Sequence, residues 1–110
     1  MADGSREPLS APAHHVLLAL GTDAKHGYAI MQDIAERTDG AIRILPGTLY
    51  STIKRMLADG LVEEVPPPRH ANSDDARRRY YRVTRAGRAA VEAETRRLAL
   101  LVKLGRVFTS

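Results

Sequence analysis

The sequence predicts a mostly α-helical protein with one small β-hairpin. Three observations support this fold class. Apolar residues recur at helical spacing in several separate segments. Two short stretches rich in β-branched and aromatic residues, LVEEV and RRRYYRVT, are typical of strands. The Pro-rich and then polar segment PPPRHANSDDA lies between them and predicts a long loop.

Two helices are predicted in the first part of the chain. Ser10 can cap the first, and AHHVLLAL continues it to about Leu20. GTDAKHG predicts a turn. The segment YAIMQDIAERT predicts the second helix, because its apolar residues fall on one side: Ile30, Met31, Ile34 and Ala35. Gly40 is a suitable helix stop, and AIRILPG leaves room for a short strand at most.

Residues 46–59 predict a third helix with one apolar face. Pro46 suits its first position, because the N–H that proline lacks would be unpaired there anyway. Gly60 ends the helix. The core positions follow the spacing i, i+4, i+7 and i+8: Leu49, Ile53, Met56 and Leu57.

A fourth helix follows the hairpin. Thr84 can cap it, and Gly87 stands where a capping box would have Glu. This element order is the winged helix-turn-helix arrangement, in which the second helix of the motif enters the DNA major groove. The predicted organisation is a disordered tail over 1–9, a DNA-binding domain over 10–84 with a wing at about 66–78, and a C-terminal dimerisation helix over 85–110.

The outer face of the third helix can be interpreted in two ways. It carries hydroxyl groups and cations: Thr48, Ser51, Thr52, Lys54 and Arg55. On an isolated helix these would be a solvated face. In the winged-helix order they predict a DNA-reading surface, because Arg can pair bidentately with guanine and Ser or Thr can contact base edges. Lys54 is better placed for backbone contacts, and the Tyr50 hydroxyl can reach a phosphate.

The chain's only run of three cations is Arg77, Arg78 and Arg79. They can be a charged strand edge that discourages aggregation, or phosphate contacts at the base of the wing. Their position favours phosphate contacts. Asp74 and Asp75 would repel phosphate, so we expect the loop tip to avoid the DNA backbone. Along the second strand, Tyr81 and Val83 are predicted to face the core. Tyr80 and Arg82 are predicted to face the opposite way.

Composition narrows the possible functions. The 110 residues suffice for one domain, and a formal net charge of +4 fits a nucleic-acid partner without requiring one. The absence of Cys excludes disulfides and thiolate metal sites. The four His lack metal-ligand spacing, and no phosphate loop or nucleophile elbow indicates an enzyme, so neither metal nor cofactor is expected. No apolar run spans a membrane and no signal peptide is visible, which predicts a cytoplasmic protein.

The last helix carries more apolar surface than its own domain can cover. Its stripe consists of Val91, Leu98, Leu101, Val102, Leu104 and Phe108. One flank can cover the domain's own core, but the earlier helices use their stripes on each other. An exposed apolar patch usually marks an interface, and a two-fold dimer is the commonest way to close one. The sequence therefore predicts a homodimer, with AHHVLLAL packed against this helix of the partner.

Three linked motifs resemble a known family. The stretch HGYAIMQDIAERTDGAIRILPGTLYSTIKRMLADGLVEE, followed by RRRYYRVTRAG, resembles the PadR family of bacterial transcriptional regulators. The resemblance runs from about residue 9 to 104, and the single C-terminal helix is similar to the short PadR subgroup. TRAG departs from the TPEG that is more frequent in the family.

The resemblance implies a homodimeric repressor that binds inverted-repeat operators in double-stranded DNA. It also implies an unidentified small-molecule effector, a phosphate contact for Tyr50 and a structural capping role for His26. Drug stacking on Trp, which some family members use, is not carried over because the chain has no Trp. The alternative is a winged-helix module that binds protein. Such a module would expose large apolar groups on the third helix, where this chain has hydroxyls and cations.

Overall fold

Four α-helices and three short strands form within residues 8–109, the part of the chain that the computed structural model describes. The helices are α1 (Ala11–Leu20), α2 (Gly27–Arg37), α3 (Pro46–Ala58) and α4 (Arg85–Gly105). The strands are β1 (Lys25–His26), β2 (Val62–Val65) and β3 (Tyr80–Val83). Short 3₁₀ helices cover Asp75–Arg77 and Arg106–Phe108. This order confirms the predicted mostly α-helical, winged helix-turn-helix architecture with a C-terminal helix.

The sheet is antiparallel with β3 in the middle. Val62 pairs with Val83, and Val65 pairs with Tyr80, which closes the hairpin. On its other edge β3 pairs with β1, so that Lys25 faces Tyr81. The strand β1 was predicted as a turn, because two residues are too few to show a strand period.

The core lies between α1 and the elements packed around it, namely α2, α3 and α4. Its largest fully buried side chains are Val16, Leu17, Leu20, Ile30, Ile34 and Leu49. Burial of each contributes about 1.5–3 kcal/mol relative to exposure. The predicted core stripe of α3 is confirmed at Leu49, Ile53 and Met56, but it is wrong at Leu57, which is 38% exposed.

The predicted helix caps form. The Ser10 hydroxyl accepts a hydrogen bond from the Ala13 N–H at 3.2 Å, and His26 Nδ1 accepts from the Ala29 N–H at 3.1 Å. The Thr84 hydroxyl accepts from the Gly87 N–H at 3.1 Å. It also donates to the Gly60 carbonyl at 2.5 Å, which ties the start of α4 to the end of α3.

Gly87 allows α4 to approach the hairpin closely. A Cβ atom at this position would lie 2.1 Å from the Leu61 carbonyl oxygen and 2.8 Å from Val83 Cγ1. A Glu side chain cannot occupy this position without moving the helix. The missing capping-box residue is therefore explained by packing.

Within the described residues no strand forms at 42–45, where the sequence leaves room for a short strand at most, because the Thr38 hydroxyl accepts from the Ile42 N–H at 3.0 Å and closes a turn. Two further local predictions are wrong. The strand predicted from residue 77 begins only at Tyr80. Tyr80 is buried like Tyr81, because the His26 ring packs edge-on against it with centroids 5.3 Å apart.

The predicted disordered tail falls mostly on residues 1–7, which lie outside the described residues. Leu9, at the end of that predicted tail, is partly buried and packs against the hydrophobic core. None of the described helices combines the length and the apolar character that a membrane crossing requires.

Candidate nucleic-acid interface

Helix α3 turns its polar face to solvent. Leu49, Ile53 and Met56 are buried and fix the rotation of the helix. The predicted contact residues consequently lie outside: Thr48, Ser51, Lys54 and Arg55 are exposed and Thr52 is half-buried. Helical spacing places Thr48, Ser51, Thr52 and Arg55 on one side of the helix and Lys54 on the flank of that side. The structure therefore brings four of the predicted residues onto one exposed surface.

A groove of about 690 Å³ borders this face on the side of the N-terminal segment. Ser51, Thr52 and Arg55 line it together with Leu9 and Asp59. The Ser51 hydroxyl donates to the Thr48 carbonyl at 3.1 Å, so its lone pairs remain for a partner. With Asp59 present, the surface offers varied donors and acceptors rather than uniform positive charge. The prediction from the sequence did not include Asp59 or Leu9.

Tyr50 connects α3 with the start of α2. Its side chain is half-exposed, and a Cβ atom at Gly27 would lie 2.5 Å from its hydroxyl oxygen. The phenol tip therefore rests directly on the Gly27 backbone. Tyr50 also borders a cleft of about 400 Å³, which we call the wing-base cleft, lined by His26, Gly27, Tyr50, Arg78, Arg79 and Tyr81.

The three consecutive arginines have different surroundings. Arg77 forms no ion pair with any described residue. Arg78 Nε lies 3.4 Å from Asp75 Oδ1, and its guanidinium carbon lies 5.6 Å from the centroid of the Tyr28 ring. Arg79 Nη1 lies 3.8 Å from Glu64 Oε1 on the neighbouring strand. Only Arg78 and Arg79 line the wing-base cleft.

His26 supports the cleft from within the protein. Its Nδ1 atom accepts from the Ala29 N–H, and its Nε2 atom lies 3.9 Å from Asp75 Oδ1. Burial lowers the pKa of His26, the Arg78 guanidinium lowers it further, and Asp75 opposes both. The imidazole is therefore neutral at neutral pH, and this state leaves Nδ1 free to accept the capping hydrogen bond.

A buried polar cluster lies between α1 and α4. Glu94 is buried, and its carboxylate accepts a hydrogen bond from Arg97. This hydrogen bond holds the pKa of Glu94 below its ordinary value. Burial lowers the pKa of His14, although Glu94 opposes the shift. His14 Nε2 is buried without a hydrogen-bond partner among the residues that the structure describes. Within those residues no group of His, Asp and Glu is arranged to hold a metal ion.

The predicted dimerisation residues divide between two environments. Val91 packs against the core of its own subunit, and Leu98 is half-buried. The remaining members are exposed: Leu101 by 48%, Val102 by 59%, Leu104 by 61% and Phe108 by 89%. The buried residues of α4 are Gly87, Ala90 and Glu94, so its second half extends beyond the core.

The family comparison agrees with the resemblance seen in the motifs. The family model "Transcriptional regulator PadR-like family" matches residues 16–93. The chain is also 37% identical over 89 residues to the transcriptional regulator Rv3488 of Mycobacterium tuberculosis, across 81% of this chain and 77% of that protein.

Solved structures share the fold. A transcriptional regulator from Clostridium thermocellum matches with a TM-score of 0.75 and 24% identity, across 93% of this chain and 99% of that one. Bacillus subtilis PadR in complex with operator DNA matches with a TM-score of 0.64 and 15% identity, across 78% of this chain and 47% of that one. At these identities the likeness shows the fold alone.

Proposed function

Because the chain belongs to the PadR-like family of transcriptional regulators, we propose that it is a cytoplasmic repressor that binds an inverted-repeat operator as a homodimer. The family consists of transcriptional regulators, so the chain is not an enzyme. The observation that carries the proposal is the exposed polar face of α3, where Arg55 stands beside the hydroxyls of Ser51 and Thr52.

In this proposal α3 lies in the major groove and contacts bases. Arg55 pairs with guanine, and Thr48, Ser51 and Thr52 contact base edges or a thymine methyl group. Sequence-independent contacts come from the flanks of this face. Lys54 and the Tyr50 hydroxyl bind phosphates beside the groove, and Arg77, Arg78 and Arg79 bind phosphates from the wing.

The second half of α4 supports the homodimer. Leu101, Val102, Leu104 and Phe108 are apolar and exposed, and an apolar patch of this kind usually marks an interface. A two-fold axis through this surface presents two copies of α3 to the DNA. For an inverted repeat, the two helices should lie about 34–36 Å apart, one turn of the duplex.

Selection of bound duplexes from a random library tests the proposed operator. We expect enrichment of an inverted repeat whose arms are centred about 10–10.5 base pairs apart. Placing the selected sequence over a reporter promoter should then lower expression when the protein is present. Failure to enrich any sequence would favour the alternative of a protein-binding winged-helix module.

The proposal includes a small-molecule effector that lies between the C-terminal helices and the DNA-binding core of the dimer. This part rests on the family resemblance. Thermal shift across phenolic acids, flavonoids and cationic drugs should reveal a compound that raises the melting temperature and releases the operator. Constant repression in every medium, with no stabilising compound, would instead indicate a constitutive repressor.

A further inference from the structure

Arg78 is already paired with a carboxylate of its own protein. Asp75 Oδ1 lies 3.4 Å from Arg78 Nε and 3.9 Å from His26 Nε2. The Asp75 N–H donates to Asn72 Oδ1 at 2.8 Å, which fixes the 3₁₀ turn that carries this carboxylate. Both side chains remain partly exposed, Asp75 by 38% and Arg78 by 44%. The pair is therefore formed in the free protein but accessible to a competing anion.

The wing-base cleft suits such an anion. Its lining includes two arginines, Arg78 and Arg79, and two tyrosines, the half-exposed Tyr50 and the buried Tyr81. No carboxylate is among the described residues that line it, although Glu64 Oε1 lies 3.8 Å from Arg79 Nη1. Guanidinium binds phosphate oxygens in a bidentate geometry, and a phenol O–H can donate to a third oxygen. A phosphodiester group matches this set of donors in charge and in hydrogen-bonding capacity.

We propose that the wing-base cleft binds one backbone phosphate of DNA and that Asp75 competes with this phosphate for Arg78. The competition limits sequence-independent binding. This inference rests on the proposed DNA-binding function and adds an internal regulator of it. While Asp75 is paired with Arg78, the two charges compensate each other, and Arg78 contributes little to attraction of the phosphate.

The test is the Asp75→Asn variant, which keeps the side-chain shape and removes the competing charge. Each neutralised phosphate changes the slope of log affinity against log salt by about −0.9. The variant should therefore steepen this slope by up to about that amount per subunit and bind random duplex DNA roughly 5- to 10-fold more tightly per bound subunit at 0.1 M salt. Operator and random DNA should gain equally, because a phosphate contact carries no sequence information.

Asp74→Asn is the matched control, because it removes the same charge one residue earlier, from a carboxylate that forms no ion pair with any described residue. It should leave the salt slope close to that of the wild type. In the double variant Asp75→Asn with Arg78→Ala, the gain should disappear. Thermal melting of every variant confirms that each is folded before the titrations are compared.

Two results would contradict the proposed competition between Asp75 and the DNA phosphate for Arg78. Equal gains for Asp74→Asn and Asp75→Asn would assign the effect to net charge alone. Weaker binding by Asp75→Asn would show that Asp75 orients Arg78 for the phosphate instead of competing with it. Both results require a wild type that binds DNA. A wild type that binds no duplex even at low salt would overturn the proposed function itself and this inference with it.

Discussion

Tyr50 and Gly27 come from two separate motifs, PGTLY and HGY, and they touch in the folded protein. Gly27 leaves room for the phenol tip, and both residues line the wing-base cleft. The sequence predicted a phosphate-contacting Tyr50 but not its partner, because the contact depends on how α2 packs against α3. Gly27 of the HGY motif thus positions the hydroxyl of Tyr50 in the PGTLY motif.

Gly27→Ala tests this contact. The added Cβ would lie 2.5 Å from the Tyr50 hydroxyl and must displace it. We expect weaker binding to all DNA sequences, by about 1 kcal/mol per half-site for one lost hydrogen bond. Titration of Gly27→Ala, Tyr50→Phe and the double variant measures the coupling. Fully additive losses would show that the two residues act independently.

The pH dependence of stability follows from His26. Its folded-state pKa is lowered, so the unfolded chain binds more protons near the unfolded value of about 6.5. The stability that the neutral, capping imidazole contributes is therefore present above that value and lost as the pH falls through the lower folded-state pKa. His14, whose pKa is also lowered by burial, adds to the same trend.

His26→Asn isolates this contribution. Asn keeps a capping oxygen and does not titrate. Chemical denaturation of the variant between about pH 7.5 and pH 5 should show a shallower loss of unfolding free energy than the wild type. Near pH 7.5 the variant should already be somewhat less stable, because it loses the ring that covers Tyr80, so the slopes with pH and not the absolute free energies are compared. Identical slopes of unfolding free energy against pH would mean that His26 does not contribute to the pH dependence of stability as expected.

Helices α1 to α4 could be predicted from the sequence because each carries local signals, either a cap or a repeated apolar stripe. The failures occur where tertiary contacts decide. The two-residue β1 exists only because β3 pairs with it. The burial of Tyr80 depends on the His26 ring that β1 supplies. The different surroundings of Arg77, Arg78 and Arg79 depend on the 3₁₀ turn Asp75–Arg77, which ends at the first of them and which no periodic pattern indicates.

Gly87→Ala tests the close approach of α4 to the hairpin. Ala favours helix by about 1 kcal/mol over Gly, so helix propensity alone predicts stabilisation. The clash with the Leu61 carbonyl should prevail, and we expect a net loss of about 1–3 kcal/mol from overpacking. The control is Gly105→Ala, whose Cβ would meet nothing within 4 Å. It should be neutral or slightly stabilising in the same denaturation measurement.

The proposed homodimer depends on the half of α4 that extends beyond the core. Val91, predicted as a dimerisation residue, packs against the core of its own subunit instead. Leu101 and Phe108 lie farther along, where the described chain leaves them largely uncovered. The described part of the subunit offers no further apolar element to cover them. A second copy would bury them and place two recognition helices on one side of the dimer.

Leu101→Glu tests the proposed interface. A charge in an apolar interface is costly without a partner, so we expect a monomer by light scattering. The circular dichroism spectrum should remain largely helical, and operator binding should be lost. Ala99→Glu is the control, because Ala99 is exposed on the other side of α4, near Lys103. A Leu101→Glu protein that remains dimeric would place the interface elsewhere, with α1 as the next candidate.

Readout of DNA by the polar face of α3 is tested by the Arg55→Ala variant, titrated against the selected operator and random duplex DNA under identical salt. We expect the affinity ratio between the two to fall by the equivalent of about 1–3 kcal/mol per half-site, because a bidentate contact to guanine is lost. The control Lys54→Ala should weaken both complexes alike and leave the ratio unchanged. An unchanged ratio for Arg55→Ala would contradict base readout by this face.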